Sequence, residues 1–266
     1  MSNTQGQVTL PNTEVHLLQS SHVDQEYKLL ISLPDGYTES EDTYPVVYVT
    51  DATWFFSIFH SFVRFLPIPS MIVVGISYPP EATVDPASLR ARDFLPTKNI
   101  EEENERSALK KYRIESGGGS NFLLFIREEL LPLIESHYRT KADDRTLWCY
   151  SFGGTFGLYT LFKHPDTFNR YIVGAPDLRW DNRVCFAYER EYAEQATDLA
   201  AKLYLCVGTL DQEQHDHNAS HLFEFHEILK RRNYASLDME FEVFRGETHL
   251  TGILPSISWG LRSVFG

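Results

Sequence analysis

Short apolar runs that alternate with stretches of helical periodicity extend from one end of this chain to the other. The runs are EYKLLISL (26–33), PVVYVT (45–50), MIVVGIS (71–77), TLWCY (146–150), YIVGA (171–175), KLYLCVG (202–208) and DMEFEVF (238–244). Several are apolar on both faces, which suits central strands of a parallel sheet covered by helices on each side. Between them, helical spacing predicts helices over 121–138, 152–164, about 187–200, 217–232 and 257–265. In the first of these, Ser120 or Asn121 is placed to cap the helix and Pro132 to kink it. The expected class is α/β, a mostly parallel central sheet flanked by helices on both faces. With 266 residues, 42% of them hydrophobic, the chain can bury a large core. No Ser/Gly/Pro-rich linker or internal repeat divides it, so one domain over 1–266 is expected.

The segment 79–119 breaks the pattern: it is polar, with weak periodicity, and contains PP, EEENE and SGGGS. A stretch of this length inside a compact domain is usually either functional or locally folded without a strong signal. It is expected to lie over the strand ends as a pocket wall, with EEENE (101–105) as a solvated face and SGGGS (116–120) as a flexible lead into the next helix. Those glycines lack the lysine of a phosphate-binding loop. Arg92 and Asp93 read as a structural ion pair.

A formal net charge of -13 argues against nucleic acid and anionic lipid as partners, since both demand a surplus of lysine and arginine. The opening MSNTQGQVTLPNTEVH lacks a basic stretch followed by an apolar one, and no later run has the length of a membrane span, so a cytoplasmic location is expected. Cys149, Cys185 and Cys206 are too few and too scattered for a disulfide framework and read as small buried hydrophobes.

The chemistry centres on TLWCYSFGGTFGLYT (146–160), in which Ser151 stands between a strand-like and a helix-like run. A strand, a sharp turn at a serine, and a helix would strain and expose that serine as a nucleophile. The turn needs small residues two before and two after it. Gly153 meets the second demand, and Cys149 is a tighter fit for the first. An orienting acid and a base should follow in that order, each past a later strand end. Asp211 follows KLYLCVG, and His249 follows DMEFEVF. Glu213 and Asp216 rival Asp211. The same stretch, DQEQHDHNASH (211–221), invites a metal reading through His217 and His221, but no HExxH frame is present and the acids suit a helix N-terminal turn. Neither metal nor cofactor is expected.

From these pieces the chain resembles the Putative esterase family of α/β-hydrolases, which includes siderophore trilactone, feruloyl and acetyl-xylan esterases, S-formylglutathione hydrolases and mycolyltransferases. The matching segments are YPVVYVTDATWF (44–55), RDFLPT (92–97), GGGSNFLLFIREELLPLIESHYRT (117–140), the Ser151 turn, FKHPDTFNRYIVGAPDLRWDN (162–182), VGTLD (207–211) and GETH (246–249). The resemblance implies an α/β-hydrolase fold, a small-molecule ester as substrate, Ser151 as nucleophile, His249 as base and Asp211 as acid. The Phe152 amide, directly after the nucleophile, is one candidate for an oxyanion donor; the Thr53 amide is the second by resemblance, with Ala52 and Trp54 as alternatives. Trp54 and Phe55 would border the pocket or pack the sheet edge. The chain departs from the family at Cys149, at Asp51-Ala52 in place of Asp-Gly, and at GAPDLRW (174–180), which makes Asp177 and Arg179 candidates for substrate specificity. A thioesterase or acyltransferase would use the same three residues, and a non-catalytic binding protein could keep the same fold. Within the esterase reading, a ferric catecholate is strongly anionic and sits uneasily with a net charge of -13. Oligomeric state leaves no mark on the sequence.

Overall fold

A computed structural model of the protein describes residues 9–79, 86–105, 115–211 and 218–266. One eight-stranded sheet runs through it. Its strands are β1 (Thr13–Ser20), β2 (Gln25–Ser32), β3 (Tyr44–Val49), β4 (Ile72–Ser77), β5 (Thr140–Tyr150), β6 (Arg170–Gly174), β7 (Ala201–Gly208) and β8 (Leu237–Phe244), in the order β1-β2-β4-β3-β5-β6-β7-β8. The first two pairings, β1 with β2 and β2 with β4, are antiparallel, and the rest are parallel. β3 and β4 are buried at every position, as their unbroken apolar runs require for strands covered on both faces.

The helices are α1 (Ala52–Phe65), α2 (Pro86–Phe94), α3 (Ile100–Glu105), α4, α5 (Phe152–Lys163), α6 (Trp180–Gln195), α7 (Asn218–Arg232) and α8 (Ile253–Phe265). α4 is continuous but changes type, from α-helix at Gly119–Leu124 through π turns at Phe125–Leu130 and back to α-helix at Leu131–His137. The π turns end at Leu130, two positions before Pro132, whose ring cannot donate to the ladder and crowds the turn before it. Gly118, without a side chain, occupies the N-cap of this helix, rather than Ser120 or Asn121. Phe122, Phe125 and Phe156 pack with Phe94 and Tyr27 on one face of the sheet, each ring within about 6 Å of another. Burying an aromatic side chain of this size contributes about 2–3 kcal/mol.

Local expectations change at several places. β1 escapes the sequence pattern because it is an edge strand whose Val15 and Leu17 are exposed, so its apolar positions do not mark a buried face. The segment 79–119 contains α2 and α3. EEENE is more than a solvated face: a Glu103 carboxylate oxygen accepts the Ser116 N–H at 2.7 Å, and one of Glu102 accepts the Asp181 N–H at 3.1 Å. The glycine run is pinned rather than flexible. Gly117 and Gly119 N–H donate to Leu95 C=O at 3.1 and 3.2 Å, and Gly118 N–H to Arg92 C=O at 2.9 Å. These amides satisfy carbonyls at the C-terminal end of α2, and a Cβ on Gly118 would lie 2.8 Å from the Arg92 carbonyl oxygen. Arg92 and Asp93 form the expected ion pair at 2.6 Å, and Asp93, fully buried, also accepts the hydroxyls of Tyr27 and Tyr78. Cys149, Cys185 and Cys206 are buried thiols. No helix among the described residues is long and apolar enough to cross a membrane.

Candidate active site

The carboxyl ends of the parallel strands converge on one cleft. β5 ends at Tyr150, and Ser151 then adopts φ 60°, ψ -123°, outside the helical and strand regions, before α5 begins at Phe152. A non-glycine residue in such a conformation costs about 1–3 kcal/mol and persists only when its surroundings fix it. Here Ser151 N–H donates to Gly174 C=O at 2.9 Å, and Thr155 N–H to Ser151 C=O at 3.1 Å. The turn packs closely: a Cβ on Gly174 would meet the Tyr150 ring at 2.2 Å, and one on Gly154 would meet the Gly174 carbonyl oxygen at 3.0 Å. Cys149 fits because the helix opposite is relieved. A Cβ on Gly157 would lie 2.4 Å from the Cys149 sulfur, so the thiol fills the space that glycine leaves. Burial pushes that thiol well above its ordinary pKa. The second departure is accommodated likewise, for Ala52 packs against Gly75 of β4, where a Cβ would come within 2.6 Å of the Ala52 methyl.

Asp211 and His249 meet through backbone stitching between their two turns. Thr209 N–H donates to Phe244 C=O, Leu210 N–H to Glu247 C=O, and Gly246 N–H to the Thr209 hydroxyl, each at 2.9 Å. Gly208 permits the approach, since a Cβ there would stand 2.2 Å from the Glu247 carbonyl oxygen. The outcome is His249 Nδ1 at 3.1 and 3.0 Å from the two oxygens of Asp211, which is fully buried. An Nδ1–H donating to this carboxylate leaves Nε2 as the basic ring nitrogen. The Tyr150 ring lies edgewise to the imidazole, with the ring centres 5.4 Å apart. Glu213, Asp216 and His217 lie outside the described residues, as does most of the stretch that invites a metal reading.

Ser151 and His249 together line two clefts. The larger, about 510 Å³, is mostly apolar and bounded by Trp54, Phe55, Tyr150, Leu250 and Ile253, with Asp51 and Arg90. The smaller, about 170 Å³, is more polar, with Asp177, Arg179 and Asn218 beside Phe152 and Ala175. Both specificity candidates therefore reach the neighbourhood of Ser151. Asp177 is itself held in place, its carboxylate accepting Arg179 N–H at 3.2 Å and its carbonyl the Thr155 hydroxyl at 3.0 Å.

The amides of Phe152 and Thr53 lie in the first turns of α5 and α1, where helical N–H groups have no intrahelical acceptor. The two helix starts are adjacent, for a Cβ on Gly153 would stand 3.7 Å from an Asp51 carboxylate oxygen. Trp54 N–H donates to Asp51 C=O at 3.0 Å, which narrows the alternatives at α1 to Thr53 and Ala52. The Thr53 hydroxyl lies 2.7 Å from that of Ser77. Arg90 is the main lining residue that no sequence signal marks. It sits two positions before Arg92 on α2, and residues so spaced do not share a helix face.

The chain is similar to known proteins along most of its length. The sequence matches the Putative esterase family over residues 20–252. It is 29% identical over 270 residues to the ferri-bacillibactin esterase BesA of Bacillus subtilis, covering 97% of this chain and 91% of that protein. It is 24% identical over 299 residues to the siderophore triacetylfusarinine C esterase of Aspergillus fumigatus, covering 97% and 94%. The crystal structure of the BES protein from Bacillus cereus superposes with a TM-score of 0.85 at 28% identity, covering 100% of this chain and 99% of that one. The fold, the family match along most of the chain and the named activities of its relatives converge: this chain belongs to the Putative esterase family and is a carboxylic ester hydrolase with the α/β-hydrolase fold.

Proposed function

We propose that the protein is a serine esterase working through an acyl-enzyme, with Ser151 as nucleophile, His249 as general base and Asp211 as the orienting acid. The observation that carries this reading is the Asp211–His249 hydrogen bond opening on the same cleft as a serine held at φ 60°. Ser151 Oγ attacks the ester carbonyl carbon as His249 Nε2 takes its proton, and the buried Asp211 carboxylate stabilises the imidazolium. The tetrahedral oxyanion is received by the amides of Phe152 and Thr53, backed by the positive ends of α5 and α1. Collapse breaks the bond to the alcohol oxygen, which leaves with the proton from His249. Water, deprotonated in turn by His249, then attacks the acyl-enzyme; collapse breaks the bond to Ser151 Oγ, which takes the proton back from His249 as the acid is released.

For the substrate, the relatives named above favour a siderophore ester, a class that includes trilactones. The larger cleft would hold the group beside the scissile bond by apolar contact with Trp54, Phe55, Leu250 and Ile253, since its Arg90 is already paired with Asp51. Labelling with a fluorophosphonate and hydrolysis of p-nitrophenyl butyrate test the chemistry: wild type reacts in both, the label maps to Ser151, and Ser151→Ala does neither. A wild-type protein inert to both reagents refutes the reading. A panel containing ferric bacillibactin, triacetylfusarinine C, a feruloyl sugar and an acetylated sugar tests the substrate. A sugar ester cut faster than either siderophore overturns that part alone.

A further inference from the structure

Asp51 and Ser151 occupy the N-cap positions of α1 and α5, and aspartate and serine are among the residues that best cap a helix by accepting its first-turn amides. Neither side chain does so here. For Ser151 this suits a nucleophile. For Asp51 the structure supplies a cause: Arg90 Nε donates to Oδ1 at 2.7 Å and Nη2 to Oδ2 at 2.8 Å, drawing the whole carboxylate away from the helix. The same guanidinium reaches Tyr150 C=O at 3.3 Å and lies 5.4 Å from the ring centres of both Phe94 and Phe152. It thus spans the turn before α1 and the turn before α5. Asp51 holds a left-handed backbone, φ 55°, ψ 32°, which costs a non-glycine residue about 1 kcal/mol.

We propose that Arg90 is a positioning residue: its two-pronged bond holds the Asp51 carboxylate off the first turn of α1 and so keeps the Thr53 amide open to the oxyanion. The proposal rests on the reading of Ser151 and Thr53 given above. Without Arg90 two gains act together, since the backbone can leave the left-handed region and the carboxylate can cap the amides. The freed carboxylate would then occupy the donors and place negative charge where the oxyanion has to form. Both effects weaken transition-state binding and leave ground-state binding largely alone. Glycine at position 51 reverses them, because it adopts φ 55° without penalty and carries no carboxylate.

The test compares Arg90→Met with Arg90→Met/Asp51→Gly on p-nitrophenyl butyrate, reading kcat and KM separately and checking the fold by circular dichroism and thermal midpoint. Arg90→Met is expected to lower kcat about 10²-fold with KM little changed, and adding Asp51→Gly to recover about tenfold of that loss. A purely structural brace would make the double variant no faster than the single one, and a substrate contact would raise KM; either result overturns the proposal, as does a wild-type kcat in Arg90→Met. Should Arg90→Met fail to fold, Arg90→Lys keeps the charge and loses the fork, and the same recovery on adding Asp51→Gly is required of it. Active wild type without recovery refutes this proposal alone, whereas an inert wild type refutes the parent reading as well.

Discussion

The turns at Ser151 and Asp51 are built alike and used differently. Each follows a buried parallel strand, holds a non-glycine residue at φ near 60°, and opens a helix beside the same cleft. At Ser151 the side chain is presented; at Asp51 it is withdrawn into an ion pair with Arg90 whose members are 15% and 3% exposed. One turn would then contribute a reacting atom together with an amide, the other an amide alone. The difference teaches that a residue at the head of a helix can matter through what its side chain is prevented from doing.

Breaking the side-chain chemistry of the first turn should cost most. Asp211→Asn keeps the shape beside His249 but can donate to Nδ1, which favours the wrong tautomer; kcat on p-nitrophenyl butyrate is expected to fall about 10⁴-fold. A fall below tenfold would pass the acid's role to another residue, and Glu213→Gln assayed in parallel identifies it. Breaking the second turn should cost less, because only one donor is lost. Thr53→Pro removes the N–H while proline remains acceptable in the first turn of a helix, and kcat is expected to fall about 10²–10³-fold. Thr53→Val, which loses only the hydroxyl contact with Ser77, separates the amide from the side chain. Equal losses in Pro and Val variants would assign the effect to packing.

How much of this was legible in the sequence follows the same division. Ser151, Asp211 and His249 could be placed because strand ends and turn geometry restrict the residue types allowed there; Gly153, Gly208 and Gly246 are marks of that restriction. Asp51 and Arg90 carry no such mark. Their pairing joins α1 to a polar segment of weak periodicity, and only tertiary structure brings the two together. α1 itself is not among the helices expected from the sequence, although Ala52, Phe56 and Phe59 put a buried apolar stripe on one side of ATWFFSIFHSFVRF. The glycines at 117–119 read in sequence as a flexible lead, whereas their role is close approach to the end of α2. A glycine in sequence signals permissiveness; whether that is spent on motion or on contact is decided by its neighbour.

Cys149 offers the smallest and sharpest test of that last point. Its sulfur, 3.6 Å from Ile172 C=O, occupies the space opposite Gly157, beneath the Ser151 turn and away from both clefts. Gly157→Ala alone forces a methyl to within 2.4 Å of the sulfur. That overpacking should destabilise the fold by about 1–3 kcal/mol despite the better helix propensity of alanine. Cys149→Gly alone removes a buried side chain and loosens a central strand, a loss of about 1–3 kcal/mol. Combined, the new methyl fills the emptied space and the helix gains alanine, so the double variant should be more stable than either single one. Urea unfolding of the four proteins measures the coupling, which should be at least about 1 kcal/mol. Simple addition of the two losses would mean that Cys149 and Gly157 are not complementary and that the elbow tolerates cysteine for another reason. Turnover by Cys149→Gly separates packing from chemistry in the same set of proteins: a rate within about threefold of wild type is expected of a buried thiol remote from the reacting atoms, and a collapse of kcat with the fold intact would place the sulfur in the mechanism.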